Sequence, residues 1–227
     1  MSSPLHIPTR RLFIASAAGV VAAHALPFWT VKGRMAEELT KTPAQTEGPF
    51  YPNKLPLDTD NDLLVINENI TPAVGEITHL TGKVLDAKGN PVNNAVVEIW
   101  QCDKNGVYLH TDDSGKKQNQ QDKNFQGFGR FVTGKSGEYY FRTIKPVPYP
   151  GRTPHIHFKI KKARKELLTT QLYVKDDPGN PKDFIWNSVK DAKQKEAITV
   201  DFTKIKESKL GELAANFLIV LGVTPAE

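Results

Sequence analysis

Two histidines in Pro154-His155-Ile156-His157-Phe158 stand two residues apart in a run of branched and aromatic residues. In a strand that spacing puts both imidazoles on one face and Ile156 and Phe158 on the other. A pair of nitrogen donors on one face is half of a metal site, although copper, zinc and iron sites share the pattern with strands that bind nothing. The segment leading into it is Lys145-Pro146-Val147-Pro148-Tyr149-Pro150-Gly151-Arg152-Thr153. Its three prolines stiffen an extended loop and hold Tyr149 and Arg152 close to the imidazoles at little further cost in order. A second tyrosine, Tyr108, sits in Gly106-Val107-Tyr108-Leu109-His110, just after Trp100-Gln101. Taken singly, each tyrosine reads as a core or rim residue whose hydroxyl meets a backbone carbonyl. Two phenolates beside two imidazoles, however, would select a particular ion. A phenol with a pKa of about 10 stays ionised at neutral pH only next to a strongly charged cation. Fe³⁺ with two phenolates and a hydroxide is formally neutral and so can be buried.

The remaining candidates have plainer readings. His110, two residues after Tyr108, is a rival ligand but is read as a hydrogen-bonding or exposed residue, and His79 as structural. Arg130 and Arg142 are expected in ordinary ion pairs, with a role in binding a substrate carboxylate as the second reading, and Cys102 as a small buried hydrophobe. Glu47-Gly48-Pro49-Phe50-Tyr51 has two readings, a segment bordering the site's mouth or a turn that its Pro and Gly content explains by itself.

These residues need strands to hold them. Thr78 to Leu85 and Ala95 to Gln101 alternate in polarity around the turn cluster Asp86 to Pro91. Further short strands are expected at Gly129 to Thr133, Glu138 to Ile144, His155 to Lys161, Leu168 to Val174, Ala197 to Phe202 and Asn216 to Leu221. Helix is expected only at Ser188 to Lys195 and, more weakly, at Lys206 to Ala214. The fold class implied is all-β, an antiparallel β-sandwich with little helix. Residues 62–227 form the sandwich and 26–61, rich in Pro and Thr, an extended arm laid against it.

The chain has 227 residues, 39% hydrophobic and 24% charged, with a formal charge of +5, which suits one globular domain. A single cysteine excludes an intramolecular disulfide, a cysteine-based zinc site and an iron–sulfur cluster. Residues 1–25 read as an export signal of twin-arginine type. Arg10 and Arg11 precede a moderately apolar run too short to span a bilayer, and Ala23-His24-Ala25 offers a cleavage point. The expected location is therefore periplasmic or extracellular, without stable membrane insertion, and cleavage would lower the formal charge to about +3. Lys161, Lys162, Arg164 and Lys165 lack interleaved aromatics and read as a solvated turn, so nucleic acid is not an expected partner.

Taken together, Gln45 to Tyr51, Leu80-Thr81-Gly82 with Trp100-Gln101, Gly106-Val107-Tyr108, Phe125 to Arg130, Tyr140 to Pro146, Pro148-Tyr149-Pro150, Arg152 to His157 and Thr170 to Tyr173 resemble the intradiol ring-cleavage dioxygenases. The likeness is greatest to the protocatechuate 3,4-dioxygenase branch and runs from about Gln45 to Leu221. The resemblance implies a non-haem ferric ion held by Tyr108, Tyr149, His155 and His157. Tyr149 would be the ligand that leaves when substrate arrives, Arg152 the group that stabilises negative charge on the ring carbon, and Gln171 a polar neighbour of the ligands. It further implies a catechol-type substrate and O₂ as partners, with cleavage between the hydroxylated carbons to a cis,cis-muconate-type diacid, by a monomer or a homo-oligomer. The loop from Tyr149 to His155 departs from the pattern in being shorter than in the best-known protocatechuate enzymes.

Two other readings use the same residues. The Leu80 to Val97 segment also resembles transthyretin-like binding modules, which would give a sandwich without catalysis. A copper or zinc site would use the histidines alone.

Overall fold

The computed structural model describes residues 39–56, 58–66, 71–117 and 120–225, all within the compact unit Glu38–Glu227. The export segment expected over 1–25 and the start of the arm, 26–38, lie outside them. Two mixed sheets pack face to face. The first has the order β4-β1-β9-β8 and the second β3-β2-β5-β6-β7. The strands are β1 (Ile77–Leu85), β2 (Val96–Trp100), β3 (Phe128–Val132), β4 (Glu138–Ile144), β5 (His155–Lys162), β6 (Lys165–Val174), β7 (Thr199–Val200), β8 (Thr203–Lys204) and β9 (Leu213–Val220). The all-β sandwich expected from the sequence is therefore present. Most pairings are antiparallel, but β1–β9 and β6–β7 run parallel. The two strands flanking the Asp86 to Pro91 turn belong to different sheets, so that turn is a crossover and not a hairpin.

Alternation builds the core. Leu80 and Val84 of β1, Phe141 of β4 and Phe217 and Ile219 of β9 are buried in one cluster with Val97 and Ile99 of β2 and Ile156, Phe158 and Ile160 of β5. Each such side chain removed from water contributes about 1.5–3 kcal/mol before entropy is charged. Gly82 is required within β1. A Cβ there would collide with the Phe217 carbonyl and the Tyr139 hydroxyl, which themselves form a 2.5 Å hydrogen bond across it.

Strand β5 is the strand that positions the chemistry. From His155 to Ile160 every residue is buried, because one face meets the core and the other is covered by loops and by the arm. The arm, described from residue 39, runs without regular structure along the domain. It is tied by Thr42 N–H to the Val220 carbonyl (3.0 Å), by Gln45 N–H to the Thr169 carbonyl (2.9 Å), and by the Thr170 hydroxyl to the Pro43 carbonyl (2.8 Å).

Three local expectations are corrected. No helix forms over 206–214. The Ser208 hydroxyl accepts the Leu210 and Glu212 N–H groups, Gly211 adopts φ +71°, and the chain enters β9 at Leu213. The other helix starts later than expected, at Ala192–Ala197, where the Asp191 carboxylate caps Gln194 N–H. The basic run is only partly solvated. Ala163 and Arg164, both at positive φ, form the β5–β6 turn, while Lys161 reaches back to the buried Glu98 carboxylate at 2.7 Å. Among the described residues no helix is long and apolar enough to cross a membrane.

Candidate active site

The register of the second sheet sets out the site. Phe128 pairs with Trp100, Trp100 with His157, and His157 with Gln171, so these four side chains form one row across β3, β2, β5 and β6. One step along, His155 pairs with Tyr173. Side chains alternate along β5, so this row faces away from the sandwich core that Ile156 and Phe158 enter.

Two loops bring the tyrosines to the row. The loop after β2 is held by buried carboxylates. Asp103 accepts the Val107 N–H at 2.9 Å, and Asp113, in the short helix α1 (Thr111–Ser114), accepts the N–H of Tyr108 itself at 2.9 Å. Phe50 stacks on the Tyr108 ring with centroids 5.0 Å apart. Tyr108 is thus fixed and 1% exposed. Tyr149 and Arg152 are the ends of a tight turn, closed by the Arg152 N–H to the Tyr149 carbonyl at 2.9 Å, with Gly151 at φ +83°. Tyr149 is half-buried and its ring stands perpendicular to that of Tyr108.

The polar atoms converge. The Tyr108 hydroxyl lies 3.2 Å from His155 Nε2, and His155 Nε2 lies 3.2 Å from His157 Nε2. His155 Nδ1–H donates to the Thr153 carbonyl at 2.6 Å, which leaves its Nε2 lone pair pointing into the site. His157 Nδ1 has no hydrogen-bond partner among the described residues. Burial, and then Arg152, depresses the His155 pKa to about 3. Burial, His155 and Arg152 hold His157 well below its usual range. Both rings are therefore neutral donors. Burial pushes the Tyr108 and Tyr149 phenols above their ordinary value, so each keeps its proton unless a cation replaces it.

This donor set fits a hard, highly charged metal ion. Metal–nitrogen bonds of about 2.0–2.1 Å roughly 100° apart put their donor atoms about 3.2 Å from one another, which is the spacing found here. Among the described residues no group of three or more His, Cys, Asp or Glu side chains is placed to hold a metal ion, so an ion on these histidines would need the tyrosines to complete its shell.

Arg152 is held from three sides. Its Nε donates to Asp183 at 2.8 Å, Nη2 to the Gln171 side-chain oxygen at 2.5 Å, and Nη1 to the Tyr149 hydroxyl at 3.4 Å. Gln171 is fixed in turn by the Thr46 carbonyl and the Tyr173 hydroxyl, both at 3.0 Å. Burial works to raise the Asp183 pKa, but the backbone N–H groups of Trp186 and Thr153 and the guanidinium overcome it and hold the carboxyl below its ordinary value. Residues 46–51 close the site as a strap. Gly48 passes over His157, where a Cβ would touch the ring at 3.5 Å. Tyr51 donates to Glu98 at 3.0 Å, and Glu47 pairs with Lys159.

All the residues singled out from sequence for the site, Tyr108, Tyr149, Arg152, His155, His157 and Gln171, meet here. His110 instead accepts the Asp112 N–H at the start of α1, and His79 joins Tyr140 and Glu212 on the first sheet. Arg130 and Arg142 form 2.8 Å ion pairs with Glu98 and Asp62. Cys102 is buried in the aromatic cluster beside Tyr108, its thiol pushed up to about 12, chiefly by burial. Sequence reasoning missed Asp183, which lies 31 residues beyond Arg152 with no local signature. It also missed Trp100 as a neighbour of His157, for which the facing strands were the available signal.

A family model described as Dioxygenase matches residues 46–221. The chain is 42% identical over 113 residues to a protocatechuate 3,4-dioxygenase beta chain of Burkholderia cepacia, covering 46% of this chain and 47% of that protein. It is 31% identical over 177 residues to catechol 1,2-dioxygenase 1 of Acinetobacter lwoffii, covering 69% of this chain and 52% of that protein. The chain thus spans about half the length of the curated relatives it matches. Among solved structures, the dioxygenase domain of a dioxygenase carbohydrate-binding protein fusion from Streptomyces sp. SirexAA-E superposes with a TM-score of 0.61 at 27% identity, over 82% of this chain and 100% of that one.

Proposed function

We propose that this chain, which belongs to the intradiol ring-cleavage dioxygenase family, holds ferric iron on Tyr108, Tyr149, His155 and His157 and cleaves catechol-type rings between the hydroxylated carbons with O₂, giving cis,cis-muconate-type diacids. The supporting observation is the convergence of Tyr108 Oη with two neutral imidazole Nε2 atoms at 3.2 Å spacing, with Tyr149 and Arg152 alongside. Bound there, ferric iron supplies the Lewis acidity that draws electron density from a chelated diol and opens it to O₂.

The chain's own groups divide the remaining work. Tyr108 is clamped by Phe50 and Asp113 and serves as the permanent phenolate. Tyr149, half-buried on its turn, would be the phenolate that leaves, its oxygen taking one of the two protons that a catechol must lose while a hydroxide takes the other and departs as water. Arg152, immobilised by Asp183 and Gln171, presents a fixed positive charge to the anion that develops on the ring. A preorganised group of that kind contributes about 3 kcal/mol to a transition state. Phe50 and the strap limit water at the metal position.

Protocatechuate, catechol and hydroxyquinol are the first substrates to try, by oxygen uptake with identification of the diacid. The iron-loaded protein is expected to be burgundy through phenolate-to-iron charge transfer. A colourless protein that consumes no oxygen with any diol would sink the proposal. Export by the twin-arginine route belongs to the same proposal, and is tested by replacing Arg10 and Arg11 with lysine and assaying the periplasm for the protein.

A further inference from the structure

The side-chain amide of Gln45, on the arm just ahead of the strap, is engaged at both ends. Its Nε2 donates to the Tyr173 hydroxyl at 3.1 Å and to the Ile185 carbonyl at 3.2 Å, and its Oε1 accepts the Gln171 N–H at 3.1 Å. These partners lead directly to the two groups that hold Arg152. Ile185 N–H donates at 2.9 Å to one oxygen of the Asp183 carboxylate, whose other oxygen takes Arg152 Nε. The Tyr173 hydroxyl, which accepts from Gln45 and so keeps its own proton to give, donates at 3.0 Å to the Gln171 oxygen that also takes Arg152 Nη2. Two routes out of the guanidinium, one through Asp183 and one through Gln171, therefore meet at a single amide on the arm. The arm has backbone anchors of its own, through Thr42 N–H, Gln45 N–H and the Pro43 carbonyl.

We propose that Gln45 is a positioning residue for Arg152, locking the Asp183 and Gln171 anchors in register so that the guanidinium is already fixed when the ring anion forms. The inference rests on the dioxygenase reading, which gives Arg152 its task. The anchors stand on separate elements, Gln171 on β6 and Asp183 in the loop beyond it, and a planar guanidinium forked between them holds its place only while their spacing is held. Gln45 bonds to both elements beside the anchors. A charge preorganised for the transition state loses its effect when it shifts, and a misplacement of about 1 Å can cost about 10²-fold. Such a loss falls on kcat and leaves KM little changed, because the interaction is made only in the transition state.

The test uses the iron-loaded enzyme, with rates expressed per bound iron. Gln45→Met keeps the length of the side chain and removes its three hydrogen bonds while the backbone anchors remain, and Lys159→Met loosens the strap at its other end. With catechol, Gln45→Met should lower kcat about tenfold or more and leave KM within about threefold of wild type, while Lys159→Met should show the opposite split. Arg152 Nη1 also lies 3.4 Å from the Tyr149 hydroxyl, so a displaced guanidinium should move the charge-transfer maximum of the resting enzyme. The shift should appear in Gln45→Met and vanish when Gln45→Met is added to Arg152→Lys, whose ammonium has no fork to hold between the anchors. A kcat equal to wild type, a loss confined to KM, or a spectrum that stays still in Gln45→Met or moves equally in the Arg152→Lys background overturns the inference while the dioxygenase reading stands. A wild-type protein with neither a charge-transfer band nor oxygen uptake overturns both.

Discussion

The indole of Trp100 lies flat on the imidazole of His157, with ring centroids 4.7 Å apart and planes 9° from parallel. The two are ladder partners on adjacent strands, so the stack is set by register and does not depend on a loop. His157 has no hydrogen bond from Nδ1 among the described residues, so ring contacts fix its plane, and the Trp100 stack is the one that lies parallel to it. Replacing Trp100 with Leu should free the ring. Losing a neighbour that orients a ligand typically costs about 10–100-fold in metal affinity. Iron retained against a competing chelator measures it, and unchanged retention would assign the orienting role elsewhere.

Tyr149→Phe removes the mobile phenol and leaves Tyr108 in place. The charge-transfer band should weaken but persist, and stopped-flow binding of catechol should slow by about 10²-fold or more, because the proton that Tyr149 would accept has lost its acceptor. An unaltered spectrum would remove Tyr149 from the metal's shell.

The Arg152–Asp183 pair is buried, with side chains 8% and 0% exposed. Removing one member of such a pair commonly costs about 3–5 kcal/mol, because the other charge is stranded. Asp183→Asn should therefore lower the denaturation midpoint markedly. Its pH dependence has a definite sign. The folded pKa of Asp183 lies below its unfolded value of about 4, so this carboxylate contributes stability above that value and loses it as the solution is acidified through the folded pKa. Wild type should consequently lose more stability than Asp183→Asn between pH 5 and pH 2. Parallel acid limbs would contradict the pairing.

Lys159 anchors the strap. Its side chain is 8% exposed, and its ammonium pairs with Glu47, lies 3.6 Å from Glu166 and sits 4.1 Å over the Tyr51 ring. A desolvated cation over an aromatic face contributes up to about 2 kcal/mol. Lys159→Met should speed amide exchange across 46–51 and raise KM for catechol more than it changes kcat, with partial recovery in Lys159→Arg. Exchange rates equal to wild type would show that the arm's backbone hydrogen bonds suffice.

Much of this was legible in the sequence because the relevant signals are local. The His155-x-His157 spacing fixes one strand face whatever the fold. The alternation in 138–144 marks β4 at its observed ends, and the prolines around Tyr149 mark a rigid approach. What escaped depends on pairing between distant segments. Asp183 meets Arg152 only after β6 has returned alongside β5, and Trp100 meets His157 only through the β2–β5 register. The parallel β1–β9 pairing joins residues more than 130 positions apart and leaves no periodic trace. The 206–214 segment failed as a helix for a local reason that outweighed its composition, since the Ser208 hydroxyl and a left-handed Gly211 direct it into β9.

The strap is anchored to groups far downstream. Gln45 accepts the Gln171 N–H and donates to Tyr173, across separations of 126 and 128 residues. Those anchors exist only once β5 and β6 have paired. Synthesised ahead of every strand among the described residues, this segment is thus among the last to find its place, and the imidazole face stays open to solutes until it does.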